Sequence, residues 1–288
     1  AIRRQRQMCI RDRSYFDHLP SWDGVSDPIG DLADTVHVKS DQAEFRDYFR
    51  KWFVGILPAL LDDTVVNHEI LVLIGEQGLY KTTWFNFLLP PELRCYFYTK
   101  TNSDRLNKDD LFSLTEFALI CFEELDGMRP AELNQLKAMV TMPYVNERAA
   151  YGRNKERHPH IASFCGTGNN VQFLTDPTGN RRWLPFEVSQ IRDPHLHAIP
   201  YELVYSQAYA LWKSGFCHWF SQEEIRKLNM HNSRFEVPNL EEDLIRTHFR
   251  KPFEGEAGIF VTAADILEQI SSCLRYPCLL YTSDAADE

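Results

Sequence analysis

One segment of the chain combines the residue types that bind a nucleotide phosphate. An apolar run at 70–74 leads into a glycine-bearing loop that ends in a lysine and two threonines. In such a loop backbone N–H groups surround a β-phosphate, Lys81 reaches the β- and γ-phosphate oxygens, and the Thr82 hydroxyl binds Mg²⁺. The helix predicted from Thr82 adds the positive end of its dipole. The predicted phosphate-binding residues are Gly75, Glu76, Gln77, Gly78, Leu79, Tyr80, Lys81, Thr82 and Thr83.

The loop departs from the commonest phosphate-binding pattern at one position. Tyr80 stands directly before Lys81, where that pattern has glycine, and Gly78 lies two residues earlier. If Tyr80 makes the loop non-standard, we expect hydrolysis to suffer more than binding. The alternative is a strand, turn and helix that merely contain a Lys-Thr pair.

A second apolar strand, predicted at 117–122, ends in acidic residues. Carboxylates in this place hold Mg²⁺ through water and orient the attacking water. We assign Glu123 to Mg²⁺ together with Thr82, and Glu124 to the water, with Asp126 able to take either role. Alternatively, these acids begin the next helix, whose N-terminal dipole favours carboxylates.

A third predicted strand, 160–166, leads into Gly-Thr-Gly-Asn-Asn. We expect this strand between the other two, so that Asn169 or Asn170 meets the γ-phosphate or the attacking water. Asn169 is the preferred catalytic candidate. Taken alone, the sequence is that of an ordinary turn.

Two further sets of basic residues are candidates for contacts between molecules. Arg181 and Arg182 lie in a turn, and planar guanidinium groups suit the γ-phosphate of a neighbouring subunit; the alternative is surface charge. The window 146–160 holds four Lys/Arg residues, two histidines and a tyrosine, and a hairpin there would follow a nucleic-acid backbone, unless it is only a solvated loop. Its candidate nucleic-acid residues are Arg148, Tyr151, Arg153, Lys155 and Arg157.

Composition limits the class of protein. The 288 residues carry a formal net charge of −10, which argues against non-specific coating of nucleic acid. No run of 18 apolar residues predicts a membrane span. Seven cysteines occur without metal-ligand spacing, and Cys121 and Cys165 lie in apolar runs, so we expect buried, reduced thiols and a cytoplasmic protein.

The order of elements predicts the fold class. Strands alternate with helices, which indicates an α/β fold with a parallel, doubly wound sheet flanked by helices. Residues 41–61 carry a helical stripe of aromatic side chains, and 14–40 look irregular. Residues 221–270 look helical, with a break near 252–258.

Both ends of the chain look foreign. Within the foreign tails 1–13 and 275–288, residues 7–13 and 278–288 resemble translated sequencing-adapter DNA. We therefore expect a metagenomic fragment whose gene extends further; a basic amphipathic arm is the alternative at the start. Between them we predict an N-terminal helical segment at 14–62, a P-loop ATPase core at 63–215 and a truncated helical region at 216–274.

Taken in order, these motifs make the chain resemble the virulence-associated protein E family of P-loop ATPases. That family occurs in phage and mobile-element replication and is related to superfamily 3 helicases and phage primase-helicases. The resemblance spans about 14–215. It rests on the elements at 19–24, 75–83, 151–153, 166–169 and 178–183.

The resemblance implies an AAA+-like P-loop core that binds ATP and Mg²⁺. It also implies a homo-oligomer, such as a hexameric ring, that couples ATP hydrolysis to single-stranded or duplex DNA beside a primase or zinc-binding domain. The leading hypothesis is therefore an ATP-dependent, helicase-like motor or loader that acts on DNA. A nucleotide-dependent assembly switch or scaffold with little hydrolysis is the second hypothesis. A small-molecule kinase, for which the expected lid arginines are missing, is the third.

Overall fold

The computed structural model describes residues 14–101, 108–147, 156–175, 180–238, 240–250, 253 and 255–273. The chain divides into two compact units, at 1–236 and 237–288. The helices are α1 (described at 14–17), α2 (Pro28–Ala33), α3 (Gln42–Leu61), α4 (Lys81–Leu88), α5 (Lys108–Glu116), α6 (Pro130–Val140), α7 (Tyr201–Lys213), α8 (Gln222–Asn232), α9 (Leu240–His248) and α10 (Ala263–Cys273). The strands are β1 (Val36–Val38), β2 (Ile70–Ile74), β3 (Phe97–Lys100), β4 (Leu119–Phe122), β5 (Tyr144–Glu147), β6 (Glu156–Pro159), β7 (Ser163–Gly168) and β8 (Trp183–Ile191).

The central sheet is mainly parallel and lies between helices. Among the described residues six strands form it, in the order β1-β8-β2-β7-β4-β3. The pairs β8–β2, β2–β7, β7–β4 and β4–β3 are parallel, which confirms the predicted α/β class and places β7 between β2 and β4 as expected. The sheet is not wholly parallel, since the short edge strand β1 pairs antiparallel with β8. Helix α3 connects β1 to β2, which lies two strands away in the sheet.

Two hydrophobic cores lie on the two faces of the sheet. Leu71 and Leu73 of β2 pack into one core with side chains of α3, α4 and α7. Ile70, Val72 and Ile74 pack into the other with side chains of α5 and α6. All five residues are buried, which explains why β2 is a continuous apolar run without alternating polar positions.

Helix α3 is the main support of the first core. The Asp41 side chain caps its start by accepting the Ala43 N–H at 2.8 Å. Its predicted aromatic stripe, which includes Phe49 and Trp52, is fully buried. Trp52 also donates its Nε1–H to the Phe164 carbonyl in β7 at 2.9 Å, so one side chain fills the core and fixes the helix to a central strand.

The segment predicted to be irregular, 14–40, contains regular structure. Helix α2 begins after Asp27, whose side chain accepts the Gly30 N–H at 3.2 Å, and Pro28 occupies its first turn. The Asp27 carboxylate also binds Arg46 and Arg50 of α3 at 3.0 and 2.6 Å. These ion pairs join the short helix to the long one, and β1 then extends the sheet.

The described residues bear on two composition-based expectations. Cys121 and Cys165 are free and fully buried, as predicted. Within the described segments no helix is long and apolar enough to cross a membrane.

In the second unit α9 and α10 pack against each other. Helix α8 and Phe235 belong to the first unit, where Leu228 and Phe235 are buried in its cores.

The first core should be sensitive to lost volume. Leu57 in α3 is fully buried, whereas Leu196 is 78% exposed. We expect Leu57→Ala to lower the free energy of unfolding by about 2–5 kcal/mol, because the cavity it leaves cannot fully collapse. The same change at Leu196 should stay within about 0.5 kcal/mol. Urea unfolding of both variants measures the difference, and equal effects would contradict the assigned core.

Candidate functional site

A cleft opens where β2, β7 and β4 end. Its volume is about 450 Å³. Because parallel strands share one carboxyl edge, residues distant in sequence meet here. The lining residues are Gln77, Gly78, Leu79, Tyr80, Lys81, Thr82, Thr83, Glu123, Glu124, Thr167, Gly168 and Asn169. The structure thus brings together the loop, the two acids and the amide that the sequence placed in one site.

Backbone contacts fix the loop at both ends. The Gly75 N–H donates to the Gly168 carbonyl at 3.1 Å, and a Cβ on Gly75 would lie 2.9 Å from the Val188 carbonyl oxygen, so only glycine fits. At the other end the Tyr80 carbonyl accepts the Trp84 N–H at 2.7 Å as α4 begins. The loop therefore closes onto the sheet and the helix together.

Tyr80 takes the backbone conformation that glycine normally supplies. Its φ of 60° lies in the left-handed region, and its side chain is 42% exposed at the cleft. Among the described residues Glu124, with φ 55°, is the only other non-glycine residue at positive φ, and it lines the same cleft. Left-handed backbone costs an ordinary residue about 1–2 kcal/mol, so the strained positions coincide with the site.

Lys81 is folded back onto its own loop. Its Nζ donates to the carbonyls of Gly75 and Glu76 at 2.5 and 2.8 Å, and to the Asn169 side-chain oxygen at 3.2 Å. Burial lowers the pKa of the Lys81 ammonium, and the nearby Asp126 carboxylate acts in the opposite direction. The cation therefore links the loop to the tip of β7.

The acidic residues divide between two environments. Thr82 Oγ1 donates to Glu123 Oε1 at 2.9 Å, so the two predicted Mg²⁺ ligands are in contact. Glu124 lies beside them in the cleft lining. Asp126, in contrast, accepts the backbone N–H groups of Asn169 and Asn170 at 3.1 and 3.0 Å. Sequence reasoning missed this contact, because no local pattern relates residues more than 40 positions apart.

The paired arginines lie at the opposite end of the parallel strands from the cleft. Arg181 and Arg182 precede Trp183, which pairs with Ile70 at the amino end of β2, whereas Lys81 follows its carboxyl end. The five residues of β2 separate these edges by about 15 Å. The arginines line a separate cleft of about 360 Å³. Burial and the neighbouring Arg181 charge lower the pKa of the Arg182 guanidinium.

The predicted basic hairpin is present at its stem. Strands β5 and β6 pair antiparallel. Arg157 is exposed, and its guanidinium carbon lies 3.6 Å from the centroid of the Tyr144 ring, a cation–π contact. The other candidate nucleic-acid residues, Arg148, Tyr151, Arg153 and Lys155, lie outside the described residues.

Comparison with known proteins gives one family and a set of distant structures. A family model, the virulence-associated protein E-like domain, matches residues 17–237. No curated protein matches the chain. The apo structure of the NrS-1 C-terminal region is 13% identical over 83% of this chain and 62% of that one, with a TM-score of 0.49. An A-form apo structure of the same region is 14% identical over 80% and 55%, also with a TM-score of 0.49. The chain thus spans less than two thirds of each.

The strain at Tyr80 can be measured against two replacements. Tyr80→Gly and Tyr80→Ala both remove the exposed ring, but only glycine adopts positive φ without steric penalty. We expect the glycine variant to unfold with a free energy about 1 kcal/mol greater than the alanine variant, as measured in urea. Equal stabilities would show that the loop does not hold residue 80 in the left-handed region.

Proposed function

The chain belongs to the virulence-associated protein E-like family, and from that premise we propose that it is a P-loop ATPase acting on DNA in the replication of a phage or mobile element. The observation that carries the proposal is the convergence of Lys81, the Thr82–Glu123 pair and Asn169 on one cleft. A cation, a hydroxyl–carboxylate pair and a polar amide are the groups that phosphoryl transfer requires around a triphosphate.

ATP and Mg²⁺ are the proposed ligands of this cleft. The loop from Gly75 to Thr83 would surround the phosphates, with Lys81 on the β- and γ-phosphate oxygens. Thr82 and Glu123, whose side-chain oxygens are 2.9 Å apart, would hold the Mg²⁺. Bound Mg²⁺ would neutralise phosphate charge. Glu124 would orient the attacking water, and Asn169 would contact the γ-phosphate or that water.

The strand order supports an AAA+-like core. The strand that precedes the phosphate loop, β2, has the Asn169 strand as its neighbour, and the acidic strand follows next in the sheet. The loop after β2 and the acids after β4 therefore lie on either side of the tip of β7.

The proposed Mg²⁺ does not need a site made entirely of protein ligands, since Mg²⁺ usually keeps waters and phosphate oxygens as ligands.

An oligomer would complete the site. Arg181 and Arg182 lie at the sheet edge remote from their own chain's cleft, so we propose that they reach the γ-phosphate bound by a neighbouring subunit. A heterologous contact of this kind, repeated around a rotation axis, closes a ring, and a hexamer is the form that we expect.

DNA, single-stranded or duplex, is the proposed partner of the β5–β6 hairpin. Its stem presents exposed Arg157, and the basic window continues through the predicted contacts at 148–155. Phosphate contacts by such residues would overcome the chain's negative charge only locally and would weaken with salt. A primase domain or protein is expected to act beside this core.

A second candidate function is a nucleotide-dependent assembly switch with little hydrolysis. The observation that favours it is the left-handed backbone at Tyr80, whose side chain occupies the rim of the cleft. ATP-dependent oligomerisation without phosphate release would support the switch in place of the ATPase.

Lys81 provides the first test of the ATPase. We expect phosphate release from ATP and Mg²⁺ to rise with single-stranded DNA, and Lys81→Ala to lower it by about 100-fold or more, because a charge-assisted phosphate contact is lost. Lys227→Ala is the matched control, since Lys227 is exposed and pairs only with Glu223 in the contacts described. A steady-state phosphate assay on the full chain measures all three. A rate of phosphate release that does not change with single-stranded DNA would contradict the DNA-coupled activity.

The arginines are tested by mixing inactive variants. The double variant Arg181→Ala/Arg182→Ala should lose about 10³-fold in turnover, and Lys81→Ala should be inactive. In a mixed ring some interfaces join an intact loop to an intact arginine pair, roughly a quarter of them at equal concentrations. We therefore expect mixing to restore phosphate release. Failure to recover activity when an affinity tag on one variant co-purifies the other would rule out action between subunits.

A further inference from the structure

The third carboxylate behind β4 holds the backbone at the tip of β7. Asp126 lies in a short 3-10 turn at Leu125–Gly127. Its Oδ1 accepts the Asn169 N–H at 3.1 Å and its Oδ2 accepts the Asn170 N–H at 3.0 Å. Both carboxylate oxygens are therefore engaged by consecutive amides on a neighbouring strand's loop. Such charge-assisted hydrogen bonds are stronger than neutral ones and fix the direction of the acceptor.

Close packing allows this approach. A Cβ on Gly168 would lie 3.0 Å from Asp126 Oδ1, a tighter contact than side chains ordinarily make. Two residues earlier in β7, a Cβ on Gly166 would clash with the Leu125 Cδ1 atom. The two glycines leave room for the acidic turn to lie directly against β7. The turn and the strand tip thus form one backbone unit.

Asn169 connects Asp126 to the Lys81 ammonium group in the cleft. Its backbone N–H is held by Asp126, and its side-chain oxygen accepts from Lys81 Nζ at 3.2 Å. Asp126 is therefore connected to Lys81 through Asn169, while the cleft lining comprises Glu123 and Glu124 and not Asp126.

We propose that Asp126 is a positioning residue of the ATPase reaction, holding Asn169 where its side chain contacts Lys81 and the γ-phosphate end of the cleft. The proposal rests on the proposed ATPase function and assigns Asp126 a role other than Mg²⁺ binding or water activation. Its effect on turnover passes through Asn169. A carboxylate that only fastened two loops would contribute to stability and leave the chemical step unchanged.

A double-mutant cycle tests this role. The variants are Asp126→Asn, which keeps the shape but replaces one acceptor oxygen by a donor, together with Asp126→Ala, Asn169→Ala and the Asp126→Ala/Asn169→Ala pair. We expect Asp126→Asn to lower kcat by about 10-fold or more with KM for ATP changed by less than about threefold. The double variant should be no slower than Asn169→Ala alone, because the two residues act in series. Glu223→Gln, at an exposed carboxylate, is the control.

The outcomes separate the two levels of the proposal. Losses in kcat that multiply in the double variant, or a lowered midpoint of thermal unfolding with unchanged kcat in Asp126→Asn, would overturn the positioning role and leave the ATPase standing. If the wild-type chain binds a fluorescent ATP analogue without releasing phosphate, the ATPase fails, and the positioning role in its reaction fails with it. A chain that does not bind ATP at all overturns both.

Discussion

The parallel pairing of β2, β7 and β4 is the constraint on which the cleft depends. The register places Ile74 opposite Gly168 and Phe122 opposite Gly166, so the three strands end at nearly the same level of the sheet. The Gly75 N–H continues the ladder by one hydrogen bond to Gly168. A slip of one residue would turn every side chain of a strand to the other face, and two packed cores oppose such a slip. The positions of the lysine, the acids and the amide follow from this register.

Much of this arrangement follows from the sequence for a simple reason. Strands covered on both faces are uninterrupted apolar runs, so β2 and β4 stand out, and the polar residues just after them must meet at one edge. The position of β7 between them was predicted from chemistry, because an amide useful to a phosphate must lie between the loop and the acids. The stripe of aromatic residues in α3 is long enough to specify a buried helix face by its period alone.

Other features depend on contacts that no local pattern encodes. Strand β1 has only three residues, and it forms by pairing with β8, which is distant in sequence. Helix α2 carried signals that identify a helix start, Asp27 followed by Pro28, but the frequent glycine and proline residues around it favoured an irregular interpretation. The left-handed backbone of Tyr80 and the contact of Asp126 with distant amides arise only after the sheet has formed. The sequence therefore indicated which residues line the cleft better than it indicated their backbone conformations.

The folded-back position of Lys81 makes ligand binding in this cleft an exchange and not an addition. The lysine already has three oxygen acceptors from its own protein, so an incoming group must replace them before it gains a contact. A neutral acceptor offers no advantage over the carbonyl that it displaces, and the net gain is close to zero. An anionic oxygen adds the attraction between opposite charges to the hydrogen bond, so it competes better than a neutral oxygen. The three protein oxygens around Lys81 would therefore favour a negatively charged ligand over an uncharged one.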